Sequence, residues 1–221
     1  MLHGCLGKTE ILRRQEYLGN LDVDSYVEEV VANTEDHARL PAPAIIRQLG
    51  RASEEISDGP FYSAIVEMDF FGEPRHIGFI AQDRTFLNGT WGPAHHLAAA
   101  DQMQLFAKRA MPVVTLMDTP GADAKEEANR DNQAHSISRL NAEASNRDVP
   151  NVGIVYGLGY SGGAIPLAAS NIILAVRDGV FSTIQPRSLA SIARRLNLSW
   201  QECAKYVGLS PYELYTQGNI D

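Results

Sequence analysis

The stretch Asn151-Val-Gly-Ile-Val-Tyr-Gly-Leu-Gly-Tyr-Ser-Gly-Gly-Ala-Ile-Pro-Leu-Ala-Ala-Ser170 constrains the fold more than any other part of the chain. Val152 to Tyr156 is the short apolar run of an interior strand. Gly157, Gly159, Gly162 and Gly163 then supply backbone that takes positive φ and lets another molecule approach closely. From Ala164 to Ala169 the residues are small and apolar and suit the start of a helix. The first turn of such a helix leaves N–H groups with no internal partner. Groups of that kind bind anions, or an oxygen that becomes anionic during a reaction. The same residues also suit a turn that does no more than pack strand against helix.

A chain of 221 residues can bury one substantial core. Its formal net charge of −8 argues against a general nucleic-acid or anionic-membrane surface. Cys5 and Cys203 form no CxxC pair, so neither a metal site nor a disulfide framework is expected, and a reducing, cytoplasmic compartment is. No stretch approaches the roughly 18 apolar residues of a membrane span.

Taken in order, residues 1–58 are polar and expected to be helical, with Val23, Tyr26, Val27, Val30 and Val31 at helical spacing. Pro41 and Pro43 interrupt that pattern. Gly4-Cys-Leu-Gly-Lys-Thr9 imitates the end of a phosphate-binding loop, but Leu2 stands where its first glycine belongs and no strand precedes it. Phe61–Phe70 and Arg75–Gln82 read as a hairpin turning at Gly72-Glu-Pro74. After Asn88-Gly-Thr-Trp-Gly-Pro93 comes a helix carrying Leu97, Ala100, Met103, Phe106, Ala107 and Ala110 on one face. Val113–Met117 is the next buried strand, ending in Asp118-Thr-Pro-Gly121. A polar helix over Glu126–Arg147 leads back to the central strand. This alternation is the mark of a parallel, layered α/β fold. Ile172–Val176 and Val180–Ile184 read as short strands. Ser199-Trp-Gln-Glu202 and Ser210-Pro-Tyr-Glu213 each match a capping box, and Gly208 is placed to end the first of those helices.

Gly159-Tyr-Ser-Gly-Gly163 also satisfies the G-x-S-x-G pattern of a nucleophile elbow centred on Ser161. In α/β-hydrolases the histidine follows the serine, yet His3, His37, His76, His95, His96 and His135 all precede it. Asp118-Thr-Pro-Gly121 has the D-x-x-G form of a GTPase, which needs a phosphate loop upstream that this chain lacks. The simpler reading of Asp118 is a carboxylate capping its own turn.

Together, Leu116-Met-Asp-Thr-Pro-Gly-Ala122, Asp148-Val-Pro150 and Gly157-Leu-Gly-Tyr-Ser-Gly-Gly-Ala164 resemble the carboxyltransferase α subunit of acetyl-coenzyme A carboxylase. The resemblance covers roughly residues 60 to 185 and includes Ala107-Lys-Arg-Ala-Met-Pro112. More distantly, the segments are similar to carboxyltransferase domains of other acyl-coenzyme A carboxylases and related decarboxylases. The resemblance implies a crotonase-like α/β fold of repeated ββα units. The chain is expected to divide into a helical N-terminal segment, residues 1–58, and a crotonase-like carboxyltransferase domain, residues 59–221, although the N-terminal segment and the last helices carry no family signal. Gln217-Gly-Asn-Ile-Asp221 reads as the approach to a further element rather than a finish.

The activity implied is transfer of a carboxyl group between biotin on a carrier protein and an acyl-coenzyme A thioester. The N–H groups of Gly162, Gly163 and Ala164 would form the oxyanion hole for the biotin ureido oxygen. A side chain at Gly162 or Gly163 is expected to fill space the ligand needs. Trp91, Gly92, Gly121, Gly159 and Ser161 would line the same site, although Trp91 also suits a core anchor. The partners implied are a carboxyltransferase β subunit or domain, which carries most of the coenzyme A site, and the biotin carboxyl carrier protein, in a hetero-oligomer. Two departures stand out. His95 and His96 occupy the neighbourhood of a basic pair, and Ala122-Asp-Ala-Lys-Glu-Glu127 replaces a glycine-rich insertion. The alternatives are a biotin-independent acyl-coenzyme A decarboxylase or hydrolase of the same fold, and a non-catalytic paralogue that binds a carboxyltransferase partner.

Overall fold

In the computed structural model, which describes residues 9, 12–14, 16, 22–35 and 38–221, one mixed sheet organises the chain. Its order is β1 (Arg51–Asp58), β2 (Phe61–Phe70), β3 (Glu73–Gln82), β4 (Val113–Thr119), β5 (Asn151–Tyr160) and β6 (Ile172–Ala175), with β7 (Val180–Ser182) paired to the far end of β5. The first three strands run antiparallel, and β3, β4, β5 and β6 run parallel. The expected α/β class therefore holds, and the parallel half puts the ends of β4 and β5 side by side. In parallel sheets that carboxyl edge is where ligands bind.

The expectation of helix through residue 58 holds at α1 (Val23–Glu35) and α2 (Ala42–Ile46) and fails at Arg51–Asp58, which is a strand. That strand lies at the sheet edge with nearly every residue exposed, so no hydrophobic alternation marks it. The hairpin turns at Phe71-Gly72, both at positive φ, so β3 begins at Glu73 and includes Pro74. The helix of the first glycine loop, α3 (Pro93–Lys108), stops before Ala110, whose φ is 53°. The polar helix over 126–147 is two helices, α4 (Glu126–Arg130) and α5 (Gln133–Ser145). Asn132 at φ 63° breaks them apart, as an asparagine readily can. After the glycine turn come α6 (Ser161–Ala164) and a 3-10 segment, Ile165–Ala168. Beyond it α7 (Pro186–Ile192), which the sequence pattern does not announce, precedes α8 (Trp200–Val207) and α9 (Pro211–Thr216). Both capping boxes form, and Gly208 at φ 67° ends α8.

Three apolar clusters fix these layers. Met103 and Phe106 of α3 and Leu140 of α5 pack on Ile80, Met117 and Val155 of one sheet face. Ala42 and Ile46 of α2 cover Tyr62, Phe79 and Leu116 on the other. Val27, Val30 and Val31 of α1 pack with Leu158, Tyr160, Val180 and Leu209, binding the first helix to the end of β5. No helix among the described residues is long and apolar enough to cross a membrane. The Gly4–Lys8 part of the loop-like motif, and Cys5 within it, lie outside the described residues.

Candidate functional site

The ends of β4 and β5 diverge because their register slips: Met117 pairs with Val155, but Thr119 pairs with Gly159. The extra residues of β5 bulge around the buried Asp118 carboxylate, whose Oδ1 accepts the Leu158 N–H at 3.0 Å. Arg39 Nη1 lies 4.0 Å and Arg84 Nη1 3.9 Å from that carboxylate. Arg39 also donates to the carbonyls of Tyr156 (3.0 Å) and Asn33 (3.1 Å), and Arg84 to those of Thr34 and Glu35. Asp118 thus joins the end of α1 to the bulge, and goes beyond capping its own turn. Burial pushes its carboxyl above the usual range, against the pull of Leu158, Arg39 and Arg84. A Cβ on Gly157 would stand 2.0 Å from Arg39 Nη1 and 2.3 Å from Asp118 Oδ1, so this glycine makes room for the ion pair.

The Asp118–Gly121 loop is fixed from within and without. Thr119 Oγ1 donates to the Gly121 carbonyl at 2.9 Å, and Gln185 Nε2 donates to the Pro120 carbonyl at 2.7 Å. Gly121 sits at φ 142°, where a side chain is strained, and a Cβ there would lie 3.6 Å from Ser161 Cβ. The loop and the glycine turn therefore touch.

Among the turn's residues the structure separates those that face outward from those that pack. Ser161 is exposed, Gly162 half-buried, and Gly163 and Ala164 buried. With Tyr160 as N-cap of α6, the N–H groups of Ser161, Gly162 and Gly163 have no intrahelical partner, whereas the Ala164 N–H closes the first turn. Ala164 is thereby removed from the expected set of donors. A Cβ on Gly163 would meet the Gly121–Ala122 backbone, so the space expected for ligand is filled by protein. One on Gly162 would meet only Ile137, at 3.1 Å. Gly159 packs against Val180 and Phe181 of β7, which leaves it inside the sheet rather than lining a site.

Trp91 is fully buried: its Nε1 donates to the Pro60 carbonyl at 2.8 Å and its ring meets Phe61 and His96 edge-on. It is a core anchor. Gly92 is the N-cap of α3, and its N–H donates to His95 Nδ1 at 3.1 Å. His96 is fully buried, with Nδ1 3.0 Å from the Gly92 carbonyl and Nε2 without a well-aligned hydrogen bond, although the Gly162 backbone is near enough to act on the ring electrostatically. Desolvation pushes its pKa down to about 4, so it is neutral at physiological pH; His95 is shifted the same way by the same cause. Ser161 takes φ 57°, and its hydroxyl makes no hydrogen bond among the described residues. No hydrogen bond among the described residues joins it to a base, so the nucleophile reading gains no support there.

Gln82, Arg39, Arg84 and Gln185 were not among the expected site residues, yet all four hold the two loops. A polar residue ending an apolar strand at the carboxyl edge of a parallel sheet was the available signal for Gln82. A groove of about 890 Å³, lined by Arg75, His76, Arg109 and Met111 among others, lies at the opposite end of the parallel strands and away from the glycine turn.

A family model described as acetyl co-enzyme A carboxylase carboxyltransferase-like matches residues 82–221. The acetyl-coenzyme A carboxylase carboxyl transferase subunit alpha of Cereibacter sphaeroides is 35% identical over 129 residues, 58% of this chain and 40% of that protein. The beta/alpha carboxyl transferase of Salinispora arenicola is 33% identical over 133 residues, 60% of this chain and 24% of that protein. The chain thus spans less than half the length of these relatives. Among solved structures, the geranyl-CoA carboxylase beta subunit of P. aeruginosa superposes with TM-score 0.68 at 18% identity, over 86% of this chain and 40% of that one. A chain of a Pseudomonas malonate decarboxylase hetero-dimer does so with TM-score 0.66 at 18% identity, over 82% and 78%. These likenesses establish the crotonase-type fold expected from the sequence.

Proposed function

We propose, from the premise that this chain belongs to the acetyl co-enzyme A carboxylase carboxyltransferase-like family, that it is the biotin-facing half of an acyl-coenzyme A carboxyltransferase. The observation that carries the reading is the glycine turn at the end of β5. Its Gly162 and Gly163 N–H groups lack intrahelical partners and stand beside the Gly121 loop. Biotin on its carrier supplies a carboxyl group attached to a ureido nitrogen, and the ureido oxygen gains negative charge as that carboxyl leaves. The half-buried Gly162, which carries no side chain of its own and has the aliphatic Ile137 packed beside it, fits such a flat, uncharged ring. Fixed N–H groups stabilise the developing charge without reorganising, and losing one donor costs about 2.7–4 kcal/mol of barrier. Gly121 and Ser161 border the turn and set its mouth. Neither Ser161 nor a histidine is asked to act as nucleophile or base.

A carboxyltransferase β subunit or domain and a biotin carboxyl carrier protein complete the proposal, with the cytoplasm as the compartment. The exposed Ile172, Leu174 and Val176, at alternate positions on and just past the edge strand β6, support a chain that works in an assembly. The test is an assay of the complex recovered from its source cells, with malonyl-coenzyme A as carboxyl donor and biocytin as acceptor. Biocytin-dependent release of acetyl-coenzyme A supports the reading.

One observation favours a second reading, a biotin-independent acyl-coenzyme A decarboxylase. The chain covers 78% of the malonate decarboxylase chain but 40% of the geranyl-CoA carboxylase subunit. Loss of the malonyl carboxyl group at a rate indifferent to biocytin would favour it.

A further inference from the structure

We propose that Gln82 is the positioning residue of the glycine turn, the side chain that sets where the Gly162 and Gly163 N–H groups point. This rests on the reading of those groups as the oxyanion hole. Gln82 ends β3 and is fully buried. Its Nε2 donates to the Gly163 carbonyl at 2.7 Å and its Oε1 accepts the Asp118 N–H at 3.0 Å. One amide thus bonds both loops of the site, whose residues are distant in sequence. The partners fix its orientation, because a carbonyl only accepts and a backbone N–H only donates.

The Gly163 carbonyl, in α6 just before the N-cap Ala164 of the 3-10 segment, takes an outside donor in Gln82. The i+3 bond that a 3-10 continuation would give it is closed, because residue 166 is proline and has no N–H. On the other side, Gly163 rests on the Gly121–Ala122 backbone with no room for a Cβ. Gln82 fixes the planar Gly163–Ala164 peptide unit by its carbonyl, and the Gly121–Ala122 backbone fixes the Gly163 Cα, so the Gly163 and Gly162 N–H groups lie one and two peptide units before a held plane. Release of that plane would let the donors swing away from the ligand. Only a side chain that donates at one end and accepts at the other can hold both loops. Glutamine does so at every pH, a protonated glutamic acid can, and an ionised glutamate or a methionine cannot.

The experiment compares Gln82→Glu and Gln82→Met with the wild type in the full chain and in its complex. Amide resonances of Gly162 and Gly163 read the positioning, kcat and KM for malonyl-coenzyme A with biocytin read the reaction, and thermal melting reports folding. Near pH 8, where the introduced carboxyl is ionised, Gln82→Glu is expected to shift both amides and lower kcat about tenfold to a hundredfold with KM unchanged, short of the roughly 10²–10³ lost with an outright donor. Near pH 6 both readouts should return toward wild type as the buried carboxyl takes up a proton. Gln82→Met should stay impaired at both. If Gln82→Met does not fold, the isosteric Gln82→Glu carries the test by its pH-dependent recovery. Unmoved amides with kcat within about threefold of wild type, in a folded variant, overturn the proposal. Amides that move in a chain whose wild-type complex transfers no carboxyl group leave the brace standing and sink the carboxyltransferase reading instead.

Discussion

A Cβ on Gly163 would stand 2.7 Å from the carbonyl carbon of Gly121. The two loops meet backbone to backbone, and the glycine at 163 is there for that contact. The substitution Gly163→Ala should therefore cost on the order of 1–3 kcal/mol through overpacking. Gly162→Ala, which presses only on the movable Ile137 side chain, should cost about 1 kcal/mol or less. Urea unfolding of both variants checks the order. A Gly163→Ala chain at least as stable as Gly162→Ala would contradict the packing described.

Ser161 holds φ 57° although it is not a glycine, and its hydroxyl is unbonded among the described residues. Relief of that strain by Ser161→Gly should leave the chain as stable or more so, by up to about 1 kcal/mol. Ser161→Ala should keep carboxyl transfer within about tenfold, since backbone donors carry the charge. A fall approaching the roughly 10⁶-fold scale seen when a serine nucleophile is removed would return Ser161 to the chemistry.

His96 gives the fold a pH dependence with a definite sign. Its pKa falls from 6.5 when free to about 4 when folded, so between those values the unfolded chain holds a proton that the folded one does not. Stability from this group is present above pH 6.5 and is lost as pH falls toward about 4, by roughly 3 kcal/mol in all. Asp118 acts the other way, because burial raises its pKa and protonation then favours the folded state. Comparing His96→Gln with wild type at each pH isolates the histidine. The variant should lose less stability on acidification, and equal losses would refute the assignment.

Asp118→Ala removes the acceptor of the Leu158 N–H and the carboxylate facing Arg39 and Arg84. Leaving those cationic groups without it should cost about 3–5 kcal/mol, a scale typical of breaking a buried pair. Chemical denaturation measures it, and a cost under about 1 kcal/mol would mean the network is solvated rather than structural.

The glycine turn, the hairpin, the parallel alternation and both capping boxes could be read from sequence because each has a local signature. Those signatures are a run of glycines, β-branched strands, a spacing of helices, and a serine three residues before a glutamate. The edge strand Arg51–Asp58 had none, since its side chains face water on nearly every position. The role of Asp118 was hidden because its partners, Arg39, Arg84 and Leu158, are distant in the chain and meet only where β5 bulges. Trp91 looked available to a ligand because sequence cannot tell a buried indole from an exposed one. The family resemblance pointed to the turn, but that Gly163 packs inward depends on its contact with the Gly121–Ala122 backbone, and that needed coordinates.

The most direct test of the account is whether the complex containing this chain moves a carboxyl group from malonyl-coenzyme A to biocytin. Acetyl-coenzyme A formation should rise and saturate with biocytin and should fall when Gln82 is replaced by glutamate near pH 8. Acetyl-coenzyme A formed at the same rate with and without biocytin, or none formed by an intact complex, would contradict it.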